Sequence, residues 1–212
     1  MTHDQEHAAL LDVIAWIDRR LSTVSFELDR RGMLAAGCLD IAIEHQAAIA
    51  TLYRGELYGS MVALLRIVAE STVRGIWLSA CATDEQLEDF TRGKIGHFGQ
   101  LIEEIEGRIG HANKVLSNLK INAWSAMNDF THTGYQQVIR RHGPGTLGPN
   151  YPDSEICKAL SVAGALGLIA AAHMAAISKS GRLVEEMTER MWAYAKRSER
   201  LDPNPVSRVS LQ

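Results

Sequence analysis

The stretch from Leu57 to Ala82 constrains the fold most, because it is long enough for a full helix and one broad face is apolar. The residues that recur at helical spacing on this face are Met61, Leu64, Leu65, Val68, Thr72, Ile76 and Leu78. Arg66, Glu70 and Arg74 interrupt the stretch at intervals of four residues. They therefore lie in one row and can pair. A charged row in an apolar helix either reaches solvent as a surface ion pair or points into a polar site, where its charges need partners.

Helices are predicted along most of the chain. The first 143 residues contain no proline, and long stretches are rich in Ala, Leu, Glu and Arg. The predicted helices run from Thr2 to about Gly32, from Met33 to about Arg54, from 57 to 82, and from Thr83 toward Arg108. A fifth helical region runs from Asn113 to about Arg141, with a break expected near Lys120 or near Gly134. The last two helices begin with Ser154 as N-cap and at Gly181. No strand alternation or internal repeat stands out. The sequence therefore predicts an all-α protein, a single bundle of about six or seven helices over residues 1–200, with a flexible tail at 201–212.

The charge and cysteine content narrow the functional classes. The net charge is -3, so there is no general attraction to nucleic acid, although a local basic patch remains open. The three cysteines are far apart and lie among apolar residues; they are Cys38, Cys81 and Cys157. An odd, scattered set suits reduced thiols in a cytoplasmic protein. The acidic, polar N-terminus has no signal-peptide pattern.

The segment from Ala159 to Ser178 contains no Asp, Glu, Lys or Arg. Its length would allow a membrane span. Ala and Gly dominate it, however, and it carries His173 and two serines. We therefore favour a buried central helix over membrane contact, because small residues let neighbouring helices approach closely.

A second group of candidate site residues lies at Asn128, Asp129, Thr131 and His132. An Asp three residues before a His can orient the imidazole, which would suit a general base or acid. The alternative is an Asp–His pair on a helix surface, or a cap before Gly134. The spacing is equally compatible with both.

Two basic clusters complete the candidates. One is Arg140, Arg141 and His142, directly before a turn-rich loop, and the other is Arg92, Lys94 and His97. Basic residues at a helix C-terminus suit the helix dipole without any ligand, and they can also bind phosphate. With Arg74, we take Arg140 and Arg141 as candidate substrate-binding residues.

Several catalytic classes have no motif in this chain. There is no HExxH, no P-loop and no GxSxG. Paired Glu-x-x-His motifs of the di-iron bundle type are absent as well. We therefore predict neither a metal ion nor a cofactor.

The segments LLRIVAESTVRGIWL and WSAMNDFTHTG together resemble a group of uncharacterised bacterial all-helical proteins. In that group an Arg-x-x-x-Glu on one helix accompanies an Asn-x-x-x-His-x-Gly-like segment on a later one. The group is similar to the wider HEPN superfamily, many of whose members are RNases of toxin–antitoxin and phage-defence systems. The resemblance covers roughly residues 34–139.

The resemblance implies a role for several residues. His132 would be the motif histidine, with Asn128 and Asp129 in the polar interior of the motif. The arginine expected just upstream is missing, and Arg66 would supply the positive charge from the neighbouring helix instead. The resemblance also implies a homodimer with facing active sites.

The leading hypothesis is therefore a cytoplasmic, dimeric, HEPN-like bundle that acts as a metal-independent RNase or defence-associated toxin. His132 would act as acid or base, oriented by Asp129 or Asn128, while Arg66 contacts phosphate and Glu70 positions Arg66. RNA is the expected substrate, and an antitoxin or other protein is the expected partner. The alternative is a non-catalytic helical module that binds a protein partner or small ligand.

Overall fold

The computed structural model of the protein describes residues 2–109 and 114–199. Within these ranges it contains nine helices and one two-stranded hairpin. The elements are α1 (His3–Leu21), α2 (Arg30–Arg54), α3 (Tyr58–Ala80), α4 (Asp84–Thr91), α5 (Phe98–Ile109), α6 (Val115–Thr131), α7 (Tyr135–Ile139), β1 (His142–Gly143), β2 (Thr146–Leu147), α8 (Asp153–Ile177) and α9 (Gly181–Glu199). The predicted all-α bundle is confirmed. The tail predicted at 201–212 lies outside the described residues.

Helices α2 and α3 form the most extensive helix pair of the bundle. They approach closely because Gly75 has no side chain: a Cβ there would lie 2.6 Å from Cγ of Leu39. The apolar face predicted for α3 is buried in this packing, and Met61, Val68 and Leu78 are fully inaccessible. Helix α3 is therefore a rigid support for the charged row on its other side.

Helix α8 packs against α1, α2, α3 and α9, the central position that the sequence predicts for it. Its glycines allow these contacts. A Cβ at Gly164 would lie 2.1 Å from the Tyr194 hydroxyl, and one at Gly167 would lie 2.1 Å from Cδ of Gln46. By length and composition, α2 and α8 could each cross a membrane, and 44% and 56% of their most apolar windows are buried within the bundle.

A buried ion pair ties the last helix to the first. Arg197 of α9 donates from both Nη atoms to the carboxylate of Glu6, at 3.0 and 2.7 Å. The Glu6 residue is only 2% exposed. Arg190 of α9 also pairs with Asp12 of α1. These contacts close the bundle around α8.

Helices α5 and α6 both pack on α3 and contact each other. The Trp77 indole N–H of α3 donates to Glu104 of α5 at 2.5 Å. The Ser117 hydroxyl at the start of α6 donates to Glu106 of α5 at 2.6 Å. These polar contacts fix α5 and α6 over the row of charges on α3.

Three predicted helix boundaries are wrong. Helix α1 ends at Leu21, and Gly32 lies in the first turn of α2, where its N–H donates to the N-cap Asp29 at 2.7 Å. The helix predicted from Thr83 to Arg108 divides into α4 and α5, because Gly93 at φ +76° ends α4 in the left-handed conformation. Helix α8 begins at Asp153 with Pro152 as its N-cap, so Ser154 is not the cap.

The predicted helix from Asn113 to Arg141 also divides. Asn113 lies outside the described residues, and α6 begins at Val115. It ends at Thr131, since Thr133 takes a positive φ of 54° and Gly134 starts the short α7. The break predicted near Gly134 is therefore present, and the one predicted near Lys120 is not. A small hairpin, which the sequence did not predict, follows α7 within the loop before α8.

Candidate functional site

The charged row on α3 is a paired network. The carboxylate of Glu70 accepts from Nε of Arg66 at 2.8 Å and from Nη2 of Arg74 at 2.9 Å. The side chains of Arg66, Glu70 and Arg74 are 22%, 19% and 38% exposed. One half-buried carboxylate is thus shared by two guanidinium groups. This leaves the row with an excess of positive charge.

His132 reaches this row from α6. It is the C-cap residue of α6, and its backbone N–H donates to the Asn128 carbonyl at 3.0 Å. Its side chain is exposed, and Nε2 lies 2.5 Å from Nη1 of Arg66. A guanidinium can only donate, so a hydrogen bond between the two groups requires Nε2 of the imidazole as the acceptor. The structure therefore brings together Arg66 and His132, which are 66 positions apart.

The Arg66 guanidinium lies over the ring of Trp124, on which Phe98 stacks. Cζ of Arg66 lies 5.1 Å from the ring centroid of Trp124. Phe98 stacks on Trp124 with a centroid distance of 3.9 Å and an interplanar angle of 9°. A guanidinium over an aromatic face is attracted by the ring quadrupole. Together with Glu70 and His132, Trp124 fixes the position of this guanidinium.

A cleft of about 640 Å³ lies beside the network, between α3, the start of α5 and α6. Its residues are Arg66, Glu70, Arg74, Gly96, His97, Phe98, Gly99, Gln100, Leu101, Glu103, Lys120 and Trp124. Three of them, Arg66, Arg74 and Lys120, are permanent cations, against the two carboxylates of Glu70 and Glu103. The first turn of α5 also faces the cleft, and the free N–H groups of a helix start carry partial positive charge. The arrangement suits a negatively charged group.

Asp129 does not take the position that the sequence predicts. Its carboxylate accepts from the backbone N–H of Gln136 at 3.1 Å. A Cβ on Gly134 would lie only 2.6 Å from Oδ1 of Asp129, so this carboxylate sits inside the turn that leads into α7. Among the described residues, no hydrogen bond or ion pair links Asp129 to His132. The ring of His132 is oriented by Arg66 instead.

Asn128 and Thr131 also have local roles. The carbonyl of Asn128 accepts the His132 N–H, whereas its side-chain Oδ1 is buried without a partner among the described residues. Asn128 is therefore not seen to orient the imidazole through its side chain. The Thr131 hydroxyl lies 2.8 Å from the Met127 carbonyl and 3.3 Å from the Ala63 carbonyl, which joins the end of α6 to α3.

The basic cluster before the hairpin is separate from the cleft. Arg140 donates from Nε to Glu155 at 2.9 Å and from Nη2 to the other carboxylate oxygen. The hydrogen bond with Glu155 raises the pKa of the Arg140 guanidinium above its usual value. Arg141 is exposed, and its carbonyl accepts from the backbone N–H of Gly148 at 2.9 Å. Neither arginine lines the cleft, so their predicted place in a common substrate site is not observed.

Metal ligation has no candidate in the described part of the chain. No group of three or more His, Cys, Asp or Glu side chains lies close enough there to hold an ion. Cys38 is buried, Cys81 and Cys157 are half-buried, and none of them forms a disulfide.

Sequence reasoning missed several residues of the cleft. The sequence pattern does not indicate a functional role for Phe98, Gly99, Lys120 or Trp124. Lys120 and Trp124 are four residues apart on α6, which is the one local signal that places them on a common face. Their proximity to Phe98 depends on how α5 packs against α6, and nothing in the local pattern reports this.

Comparison with models of protein families gives a match over most of the chain. Residues 39–199, which include every residue of the cleft and of the Arg66–His132 pair, match the model of a family described as a family of unknown function (DUF6988). The searches of curated proteins and of solved structures gave no match.

Proposed function

We propose that this chain, which belongs to the DUF6988 family of unknown function, is a metal-independent ribonuclease of HEPN-like type. The observation that carries the proposal is the 2.5 Å contact between Nη1 of Arg66, which lines the cleft, and Nε2 of the exposed His132, which does not. RNA cleavage without a metal needs a base for the ribose 2′-OH and a cation for the phosphate. This pair supplies both groups at one point of the surface.

The proposed chemistry assigns one task to each side chain. His132 takes the proton from the 2′-OH through Nε2, the 2′-oxygen attacks phosphorus, and the bond to the 5′-oxygen breaks. Arg66 binds a non-bridging oxygen of the phosphate and stabilises the charge that develops there. The products are a 2′,3′-cyclic phosphate and a 5′-hydroxyl, whose proton comes from the imidazolium or from water.

When RNA binds, Arg66 exchanges its hydrogen bond to His132 for one to a phosphate oxygen, and this frees the base. Without substrate, Nη1 of Arg66 occupies the lone pair of Nε2 that His132 needs as a base. A phosphate oxygen competes for the same N–H, and a charge-assisted bond to phosphate is stronger than a bond to a neutral ring. Arg66 then turns to the phosphate and leaves Nε2 free. Glu70 keeps Nε of Arg66 in place during this exchange.

The test is cleavage of a labelled single-stranded RNA in excess EDTA. His132→Ala lowers the rate by about 100-fold or more, as expected for the loss of a general base. The matched control is His142→Ala, because His142 is an exposed histidine on β1 outside the cleft. This control keeps the wild-type rate, and both variants keep the wild-type unfolding temperature. Equal rates for the two variants would refute the proposal.

The second candidate function is a non-catalytic binding module, and the observation that favours it is the full engagement of Arg66. Its guanidinium contacts Glu70, His132 and Trp124 at once, as a structural network would. In this case His132→Ala leaves RNA intact. The replacement of Arg66 then lowers thermal stability, because it breaks a partly buried polar network.

The biological setting belongs to the proposal as well. We expect a cytoplasmic homodimer that slows growth of the host cell by cutting RNA and that an antitoxin or other protein partner restrains. Induced expression of the wild-type chain is then toxic, and expression of His132→Ala is not. Normal growth in both cases would contradict the toxin assignment.

A further inference from the structure

Lys120 is the cation of the cleft whose charge has no partner in the described part of the chain. The side chain is half-buried and lines the cleft one turn before Trp124 on α6. No hydrogen bond or ion pair joins its ammonium group to another described residue, whereas Arg66 and Arg74 both bind Glu70. Charges removed in part from water need a counter-charge, so this position favours an anionic ligand.

The ammonium group of Lys120 lies against the backbone of α5. A Cβ on Gly99 would lie 2.2 Å from Nζ of Lys120 and 3.1 Å from Cε. The lysine therefore occupies the space that any side chain at position 99 would fill. Because Gly99 lies in the first turn of α5, Nζ sits beside the positive end of this helix, where an anion is favoured and a lone cation is not.

The balance of charge around Lys120 indicates the sign of the ligand. Arg74 is 38% exposed and shares Glu70 with Arg66, so the carboxylate is already saturated by two guanidinium groups. The remaining carboxylate of the lining, Glu103, is exposed to solvent. The side of the cleft that Lys120 occupies thus has a positive charge that no described carboxylate neutralises.

We propose that Lys120 binds a phosphate group of the RNA chain, a group next to the phosphodiester that Arg66 and His132 act on. The identity of the ligand rests on the proposed ribonuclease function, but binding at Lys120 requires no cleavage. Lys120 is then a substrate-binding residue and Gly99 a positioning residue that leaves room for the ammonium group. The phosphate takes the place of the missing counter-charge.

The first experiment removes the charge. A short fluorescein-labelled single-stranded RNA is titrated by fluorescence anisotropy in the His132→Ala background, so that it is not cut during the measurement. Lys120→Gln raises the Kd about tenfold, as for one lost hydrogen bond to a charged group. It also lowers the slope of log K against log salt by about 0.7, the value for one phosphate contact on a single strand. The control Lys158→Gln changes an exposed lysine of α8 outside the cleft and leaves both values unchanged.

The second experiment keeps the charge and moves it. Gly99→Ala forces the ammonium group away from α5, because the new methyl group occupies its place. Gly107→Ala is the matched control in the same helix, where a Cβ would meet nothing within 4 Å. Gly99→Ala weakens RNA binding several-fold, and Gly107→Ala does not. Both replacements favour the helix, so neither result reflects loss of folding.

The outcomes separate this site from the ribonuclease proposal. If Lys120→Gln weakens binding while His132→Ala still cleaves, the phosphate site stands and the assigned catalytic role falls. If His132→Ala abolishes cleavage while Lys120→Gln and Lys158→Gln bind RNA alike, the phosphate site is refuted alone. Absence of RNA binding by the His132→Ala protein itself also refutes it.

Discussion

Replacement of Gln46 by Met should stabilise the protein. Gln46 of α2 lies in the core, where α2 packs against α8, and 0% of its surface is exposed. Neither atom of its side-chain amide has a hydrogen-bond partner among the described residues. The amide group packs against Gly167, where a Cβ would lie 2.1 Å from Cδ of Gln46. Met has a similar length and shape and carries no strong donor or acceptor.

The size of the effect follows from the cost of the unpaired amide. A buried polar group without a partner costs about 1–3 kcal/mol, and a volume-conserving replacement costs less than about 1.5 kcal/mol. Since Met also fills the space beside Gly167, we expect the free energy of unfolding to rise by about 1–2 kcal/mol. For a chain of this size the unfolding temperature then rises by about 2–4 °C for each kcal/mol.

The assay is urea unfolding followed by circular dichroism. The midpoint should rise while the slope with urea concentration stays constant, which identifies a change in stability rather than in compactness. Gln136→Met, at an exposed position of α7, is the control and stays within about 0.5 kcal/mol of the wild type. A loss of more than about 1 kcal/mol in Gln46→Met would show that the amide is satisfied, and would refute the reasoning.

Three further predictions concern contacts outside the reacting pair. Arg197→Met leaves the buried carboxylate of Glu6 without its cation and lowers the free energy of unfolding by about 3 kcal/mol. The assay is urea unfolding, and an unchanged midpoint would contradict the ion pair. Arg140→Ala breaks the contact of Arg140 with Glu155, so proteolysis near residues 140–150 accelerates while the rate of RNA cleavage is unchanged. A large loss of cleavage would show that Arg140 takes part in the site. Asp129→Ala removes the acceptor of the Gln136 N–H in the first turn of α7 and costs about 1 kcal/mol of stability, as for the loss of a capping side chain. The pH profile of cleavage stays unchanged, because the Asp129 carboxylate does not contact His132, and a shifted profile would contradict this.

The charged row could be predicted from the sequence because its geometry is local. Arg66, Glu70 and Arg74 are spaced by one helical turn, and any helix over this stretch brings them into contact. The contact of Arg66 with His132 is different. It depends on the packing of α6 against α3, and only the family resemblance indicated that the two belong together.

The errors and omissions at the site have the same physical origin. Asp129 has the right spacing to meet His132, but the turn at Gly134 offers its carboxylate a backbone N–H that is closer. Arg140 finds Glu155 across the hairpin, which the sequence did not predict. Lys120 can lie in the cleft only because Gly99 of α5 has no side chain that would occupy the same space. Each of these contacts depends on a turn or on the packing of two helices, and helical periodicity predicts neither.

We propose that Arg66 and His132 act as one unit on a phosphodiester of RNA. The most direct test is a double-mutant cycle on kcat/KM for RNA cleavage in EDTA, with Arg66→Gln, His132→Ala and the double variant. The double variant is expected to be no slower than His132→Ala alone, because residues that act together in one step have non-additive effects on kcat/KM. Cleavage by His132→Ala at the wild-type rate, or losses for the two single variants that simply multiply, would contradict it.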